Sequence, residues 1–100
     1  MKKAPEELGK ETRWCQRGGI TGITFELKKG AVIAELLNEE ERVCFYVEKG
    51  TVELEYSLPS SGKKIIRLSN GDSFYLLPAT EYRLQSISKS RIIFIKVSSQ

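Results

Sequence analysis

The residues of this sequence that could carry chemistry are few, and their types exclude several kinds of site. The sequence contains no histidine, so it lacks the side chain that most often binds a metal and most often acts as a general base. Its two cysteines, Cys15 and Cys44, are too far apart in the chain to form the closely spaced pair of a zinc site. We interpret them as reduced thiols of an intracellular protein.

The charged residues are unevenly placed. After residue 58 the only acids are Asp72 and Glu81, and Asp72 follows a turn glycine, where capping of the turn is its expected role. The net charge of +3 divides into +2 over 1–19, −4 over 20–58 and +5 over 59–100. Because the middle of the chain is acidic and the total is small, we interpret these charges as solvated strand faces and do not predict direct nucleic-acid binding.

From Ile20 onward, short alternating or apolar runs separated by turn residues indicate a succession of β-strands. The pair Asn70-Gly71 is a strong hairpin signal. About eight strands, spaced roughly ten residues apart, predict an all-β sandwich or barrel. The polar residues 1–19 are expected to form an N-terminal arm or tail, followed by one β domain over 20–98. No apolar run approaches the length of a membrane span, so we predict a soluble protein without a membrane partner.

Two segments resemble the two motifs of the cupin family. Gly71–Tyr82 resembles the second motif, in which Gly-Asp and a short apolar strand lead into a proline turn, with Ala79 at the glycine position of that turn. Phe45–Leu54 resembles the end of the first motif, where a strand runs through a glycine turn into the next strand. The resemblance implies a cupin-type double-sheet jelly roll. The residues that carry its fold motifs are Gly30, Gly50, Gly71, Asp72 and Pro78.

The same resemblance locates the positions at which cupins hold a metal. When the first motif is laid without gaps from Gly30, its two histidines fall on Leu36 and Asn38, and its glutamate falls on Val43. The histidine of the second motif falls on Tyr82. Leucine and valine cannot bind a metal, and Asn38 with Tyr82 makes a poor site. We therefore predict a domain without metal or other cofactor and without enzymatic activity.

Within the cupins, the chain resembles the C-terminal domain of the centromere protein C family. The residues that carry this resemblance are Phe45–Val47, Gly71–Tyr75, Tyr82 and Ile92–Val97. The resemblance implies a non-catalytic homodimerisation module of an inner kinetochore protein in the nucleus, on centromeric chromatin. It leaves room for a further kinetochore or centromere-loading protein as partner.

The motif positions also predict which side chains point into the jelly roll. Leu36, Val43 and Tyr82 are expected inside because they occupy former ligand positions. The side chains expected inside by alternation along the same strands are Val32, Ala34, Phe45, Val47 and Leu84.

Several side chains on the opposite faces are also apolar, and a strand that is apolar on both faces needs cover on both. We therefore expect a symmetric dimer. The alternative is that residues 1–19 fold back over this face. The residues predicted to form the dimer interface are Ile33, Leu37, Cys44, Tyr46, Ile92 and Phe94.

Two other functions stay open on the sequence. A small-molecule-binding cupin without metal would need a polar cavity, with Asn38, Tyr82 and Ser86 as candidate contacts. A nucleic-acid-binding β barrel would use the basic residues 59–100, with Tyr75 and Tyr82 as stacking groups. A convergent polar cavity would favour the first, and tight salt-dependent binding to DNA or RNA would favour the second.

Overall fold

The computed structural model describes residues 9–58 and 61–98, in which every helix or strand element is a β-strand. The strands are β1 (Gly9–Arg17), β2 (Ile20–Leu27), β3 (Val32–Leu36), β4 (Glu41–Lys49), β5 (Thr51–Leu58), β6 (Gly62–Ser69), β7 (Ser73–Leu76), β8 (Glu81–Ser86) and β9 (Ser90–Ser98). They form two antiparallel sheets, a five-stranded one in the order β1-β2-β9-β4-β7 and a four-stranded one in the order β3-β8-β5-β6. The predicted all-β double-sheet jelly roll is confirmed. Within this part of the chain no helix could cross a membrane.

The core lies between the two sheets, because alternate residues of each strand point inward. Its centre is aromatic: the ring of Phe94 lies 5.7 Å from that of Phe25 and 5.3 Å from that of Phe45. Phe45 in turn contacts Tyr82 edge to face, with 5.4 Å between the ring centroids. Each such pair contributes roughly 0.5–1.5 kcal/mol beyond the apolar area that it buries. The interior is therefore filled by side chains near its middle.

Glycine is required at the turn between β4 and β5. Gly50 has a φ of 95°, and a Cβ at this position would lie 2.5 Å from the carbonyl oxygen of Lys89. A side chain is excluded there on both grounds. In the turn before β7, the carboxylate of Asp72 accepts a hydrogen bond from the backbone N–H of Ser69 at 2.8 Å. The backbone N–H of Gly50 donates to Oδ1 of Asn70 at 2.6 Å, and this bond joins the two turns.

The turn that follows Pro78 places Ala79 in the left-handed region, with a φ of 64°. Ala79 stands at the glycine position of the second cupin motif, and it is the one residue other than glycine with a positive φ in the described ranges. The turn geometry is therefore kept although the glycine is absent, at a cost of about 1 kcal/mol in backbone strain.

The residues interpreted as an arm join the five-stranded sheet. Gly9–Arg17 forms the edge strand β1 and pairs with β2 over its length, with a bulge between Arg13 and Cys15. The boundary expected at residues 19 and 20 therefore falls inside the sheet, and residues 1–8 lie outside the described part. Trp14 lies flat against Gly22, where a Cβ would be 2.6 Å from the indole.

The inward and outward faces of β3 are the reverse of the prediction. Ile33 is 1% exposed, whereas Leu36 is 67% exposed. The pairing of β3 with β8 sets Ile33 opposite the buried Leu84 and Glu35 opposite the buried Tyr82. Because paired residues share a face, a phase error of one residue moves every side chain of a strand to the other face. The inward side chains of this segment are Ile33, Glu35 and Leu37, and the outward ones are Val32, Ala34 and Leu36.

Four of the six predicted interface residues are therefore wrong, because they belong to the core. Ile33, Leu37, Ile92 and Phe94 are each at most 1% exposed. In β9 the side chains that point away from the core belong to the alternate residues, such as Ile93 and Ile95. Cys44 and Tyr46 do point outward, as β4 alternates with Val43, Phe45 and Val47 inside.

Candidate functional site

Four ionisable or hydroxyl side chains meet inside one end of the sandwich, which we call the mouth. The mouth is the end at which β3 and β9 finish and β4 and β8 begin. Each of these strands supplies one inward side chain, and together they form the mouth cluster: Glu35, Glu41, Tyr82 and Lys96.

The members of the mouth cluster are bonded to one another. The Tyr82 hydroxyl donates to Oε1 of Glu35 at 2.9 Å. Lys96 Nζ donates to Oε2 of the same carboxylate and lies 3.5 Å from Oε2 of Glu41. The Glu35 side chain is 9% exposed and the Lys96 side chain 20% exposed. Glu35 thus has a partner on each of its two oxygens.

The electrostatics of the mouth cluster keep Tyr82 protonated. Burial raises the pKa of the Tyr82 phenol well above its ordinary value of 10.0, and the negative charge and hydrogen bond of Glu35 raise it further. Glu41 adds a smaller effect in the same direction. A phenol held in this way donates a hydrogen bond and does not act as a base near neutral pH. Throughout the described ranges, every buried side-chain nitrogen or oxygen has a hydrogen-bond partner.

Only two of the four former ligand positions inferred from the sequence lie inside the sandwich. Val43 and Tyr82 are buried. Leu36 points outward, and Asn38 lies in an exposed loop where its Oδ1 accepts from the backbone N–H of Glu40 at 2.8 Å. The interior places near the end of β3 belong instead to Glu35 and Leu37. A one-residue shift in the first motif accounts for the difference.

Sequence reasoning missed Glu35, Glu41 and Lys96. One signal could have found them: Lys96 is in phase with the inward residues Ile92 and Phe94, so β9 carries a lysine on its buried face. A lysine seldom enters a core without an anionic partner. That rule would have directed attention to glutamates on neighbouring strands.

The residues at the mouth do not fit a metal ion, which the cupin resemblance would otherwise imply. Over 9–58 and 61–98, no group of three or more histidine, cysteine, aspartate or glutamate side chains could hold a metal. Leu37 and Val43 offer no ligand atom, and Glu35 is already paired with an ammonium group. The charge that a metal would supply to Glu35 comes from Lys96.

The three residues considered for small-molecule binding are not brought together. Asn38 is outside the interior, and Tyr82 is engaged with Glu35. Ser86 lies four residues along β8 from Tyr82, about 13 Å away at the usual strand rise, where it donates to the hydroxyl of Ser90 at 3.0 Å. A cleft of about 310 Å³ opens at the mouth, lined by Gln16, Arg17, Gly18, Gly19, Ile20, Thr21, Glu41, Lys96 and Ser98.

The second region is the outer face, by which we mean the side of the five-stranded sheet that points away from the four-stranded sheet. Its side chains form cross-strand rows. One row contains Gly22, Ile95, Cys44 and Tyr75, with Trp14 lying on Gly22. The next row contains Thr24, Ile93, Tyr46 and Ser73. Neither row contains a charged residue.

Apolar side chains on the outer face have larger exposed fractions than apolar side chains usually have. Trp14 is 52% exposed and Tyr75 50% exposed. The other apolar side chains of this face that are classed as exposed are Ile20, Tyr46 and Val97. With strands spaced about 4.8 Å apart and a rise of about 3.4 Å per residue, the three rows that carry these side chains cover roughly 19 by 14 Å. A contiguous patch of this size usually marks an interaction surface.

Comparison with known proteins identifies solved structures that share the fold of this chain. No protein-family model matches the chain, and no curated protein matches it. Solved structures do. KdgF from Halomonas sp. superposes with a TM-score of 0.74 at 20% identity, over 90% of this chain and 78% of that one. The Cnp3 cupin domain of Schizosaccharomyces pombe superposes with a TM-score of 0.76 at 13% identity, over 89% of this chain and 64% of that one.

Oxalate decarboxylase of Bacillus subtilis, an enzyme with Mn(II) centres, superposes with a TM-score of 0.70 at 16% identity, over 80% of this chain and 21% of that one. Neighbours with this fold therefore include an enzyme with Mn(II) centres as well as the Cnp3 domain. At these identities the likeness concerns architecture and does not transfer an activity. The chain has the cupin fold.

Proposed function

We propose that this chain is a non-catalytic homodimerisation module built on a cupin fold without a metal. The observation that carries the proposal is the pair of uncharged, largely apolar central rows on the outer face of the five-stranded sheet. Burial of such a surface against a second copy would remove Trp14, Tyr46 and Tyr75 from water at one time. Aromatic side chains of this kind dominate the energetics of protein interfaces.

The mouth cluster supports the non-catalytic part of the proposal. An interior reaction site would need a free base, a free nucleophile or a bound metal. Here Glu35 is bonded to both Tyr82 and Lys96, and the raised pKa of Tyr82 keeps the phenol neutral. The polar groups of the cluster are therefore bonded to one another, and none of them is free to act on a substrate.

The molecular mass in solution tests dimerisation. At micromolar concentration, sedimentation equilibrium should report twice the chain mass. Ile95→Asp places a carboxylate at the centre of the outer face and should weaken self-association by about 100-fold or more, because an interface cannot bury an unpaired charge cheaply.

Ile65→Asp is the matched control. Ile65 is also an outward isoleucine, 59% exposed, but it lies on the four-stranded sheet, opposite Glu55. This variant should associate like the unmodified chain. A monomer for the unmodified chain at micromolar concentration, or equal effects of the two variants, would contradict the proposal.

We also propose that the module belongs to an inner kinetochore protein of the centromere protein C type, in the nucleus, with a further kinetochore or centromere-loading protein as a partner of the dimer. The support is the resemblance carried by Gly71–Tyr75 and Tyr82, together with the shared fold of the Cnp3 cupin domain. A fluorescent fusion of the chain, expressed in the cells from which it comes, should coincide with a centromeric chromatin marker. A signal spread evenly through the cell would count against this assignment.

A further inference from the structure

The strand order and the distribution of charge on the outer face point to one arrangement of the two copies. We infer that the two-fold axis runs along β9, so that β9 packs on the partner's β9, β2 on the partner's β4, and β1 on the partner's β7. The inference rests on the proposed homodimerisation. It adds the pairing of residues across the interface.

The first reason is the symmetry of the sheet. β9 is the central strand, with two strands on each side. A two-fold axis parallel to β9 therefore exchanges the two halves of the outer face and keeps each cross-strand row opposite the same row of the partner. The residues of β9 that point outward, Ile93, Ile95 and Val97, then meet their own copies. Self-contact of apolar residues on the axis is what a symmetric interface requires.

The second reason is the size of the facing side chains. In one row, Trp14 on Gly22 faces the partner's Cys44, and in the next row Thr24 faces the partner's Tyr46. Each contact sets a large side chain against a small one, so the two faces interdigitate as packed sheets do. Gly22 allows this because a Cβ there would displace the indole of Trp14, which it would approach within 2.6 Å.

The third reason is charge. The row that borders the apolar patch at the end opposite the mouth contains Glu26, Arg91 and, at the bulge of β4, both Glu48 and Lys49. About the proposed axis, Glu26 faces the partner's Lys49, and the symmetry repeats this contact. Arg91 lies on the axis and is already paired with Glu48 of its own chain, 2.9 Å away. The border row therefore joins opposite charges at its two contacts between Glu26 and Lys49, while the two copies of Arg91 that meet on the axis each keep Glu48 as a partner.

The other way to stack the two faces has an axis perpendicular to the strands, and it fits the side chains poorly. It would set the border row against the row at the mouth, which contains Ile20, Val97 and Arg42. Glu26 would then face the partner's Ile20, and Lys49 would face the partner's Arg42. The first contact buries a charge against an apolar side chain, a cost that the proposed axis also carries where Arg42 faces the partner's Ile20. The second opposes like charges, and the perpendicular axis has no contact of Glu26 with Lys49 to offset them.

Charge reversal in separate chains tests the arrangement. Glu26→Lys alone and Lys49→Glu alone each create two like-charge contacts per dimer, so each variant should self-associate roughly tenfold or more weakly than the unmodified chain. An equal mixture of the two variants should associate like the unmodified chain, because each heterodimer contact again joins opposite charges. The control is each variant mixed with the unmodified chain, which restores only one of the two contacts.

The distance between two labels gives an independent readout. Val97→Cys, in a chain with Cys15→Ser and Cys44→Ser, carries one spin label per protomer. The two label sites should lie about 10 Å apart, the usual spacing of packed sheets. The perpendicular axis would separate them by about 20 Å. Two results would overturn the arrangement but leave dimerisation standing. In the first, the unmodified chain dimerises but the mixture of Glu26→Lys and Lys49→Glu does not. In the second, the two labels lie about 20 Å apart. An unmodified chain that stays monomeric would overturn the arrangement together with the proposed dimerisation.

Discussion

The mouth cluster and the outer face reverse the usual distribution of side chains in opposite ways. At the mouth, two carboxylates, an ammonium and a phenol lie inside the sandwich. On the outer face, aromatic and branched aliphatic side chains point away from the core. The difference between the two regions is whether the chain itself supplies what each needs. The side chains of the mouth cluster find their hydrogen-bond and ion-pair partners within the chain. The apolar side chains of the outer face are not covered by the described residues.

The outer side of the four-stranded sheet is a solvent-exposed face that carries ion pairs. There Glu53 pairs with Arg67 at 3.3 Å, and Glu55 pairs with Lys63 at 3.1 Å. Ion pairs of this kind contribute little to stability but keep a sheet face soluble. The outer face of the five-stranded sheet has no such pairs in its two central rows. The contrast within one small domain is why we assign association to the five-stranded sheet.

The largest expected effect is a loss of folding, and it should occur for a charge on the inner face of β9 but not for one on its outer face. Phe94→Asp places a carboxylate in the aromatic core and should cost more than about 5 kcal/mol, enough to unfold a domain of this size. Ile93→Asp should leave the fold intact and abolish dimerisation, because its side chain points to the outer face. Circular dichroism measures folding, and sedimentation measures association. Similar behaviour of the two variants would remove the distinction between inside and outside on this strand.

An intermediate effect compares a lysine of the mouth cluster with one on the four-stranded sheet. Lys96→Met leaves Glu35 and Glu41 without their cation in a largely buried place, and should lower the free energy of unfolding by roughly 3 kcal/mol. Lys63→Met removes an ion pair whose lysine side chain is 63% exposed, and should cost no more than about 0.5 kcal/mol. Urea denaturation of both variants measures the difference. Equal costs would show that the mouth cluster contributes no more than a surface pair.

The smallest expected effect is the pH dependence of Tyr82. The folded protein holds the phenol proton more tightly than the unfolded chain does, because the pKa of Tyr82 is raised in the fold. Above pH 10 the unfolded chain releases this proton while the folded protein keeps it. Stability should therefore fall with rising pH, by up to about 1.4 kcal/mol per pH unit. At and below neutral pH the phenol is protonated in both states and contributes no slope.

Urea denaturation at several alkaline pH values measures this slope. Tyr82→Phe has no phenol to ionise, so the variant should show a shallower decline above pH 10 than the unmodified chain. The same slope in both proteins would mean that other groups govern alkaline unfolding, and that Tyr82 is not held as the structure suggests.

Sequence patterns predicted the fold well and the faces of some strands badly. Alternation correctly placed Phe45, Val47 and Leu84 inside, and Asn70-Gly71 marked the turn before β7. In β3 the residues from Ala31 to Leu37 are nearly all apolar, so alternation has little contrast there and a motif laid without gaps decided the phase. That phase was wrong by one residue. It placed Leu36 inside, whereas the inward side chains there are Glu35 and Leu37.

The sequence by itself determined the all-β class, the turn positions and the loss of histidine-based chemistry, because these depend on residue type and local period. Only the tertiary structure decided that β1 joins the sheet, that Lys96 meets Glu35 across 61 positions of the chain, and that β9 lies at the centre of the outer face. Each of these depends on which strands become neighbours. Pairing between distant strands is set by the packing of the whole core, and no local pattern records it.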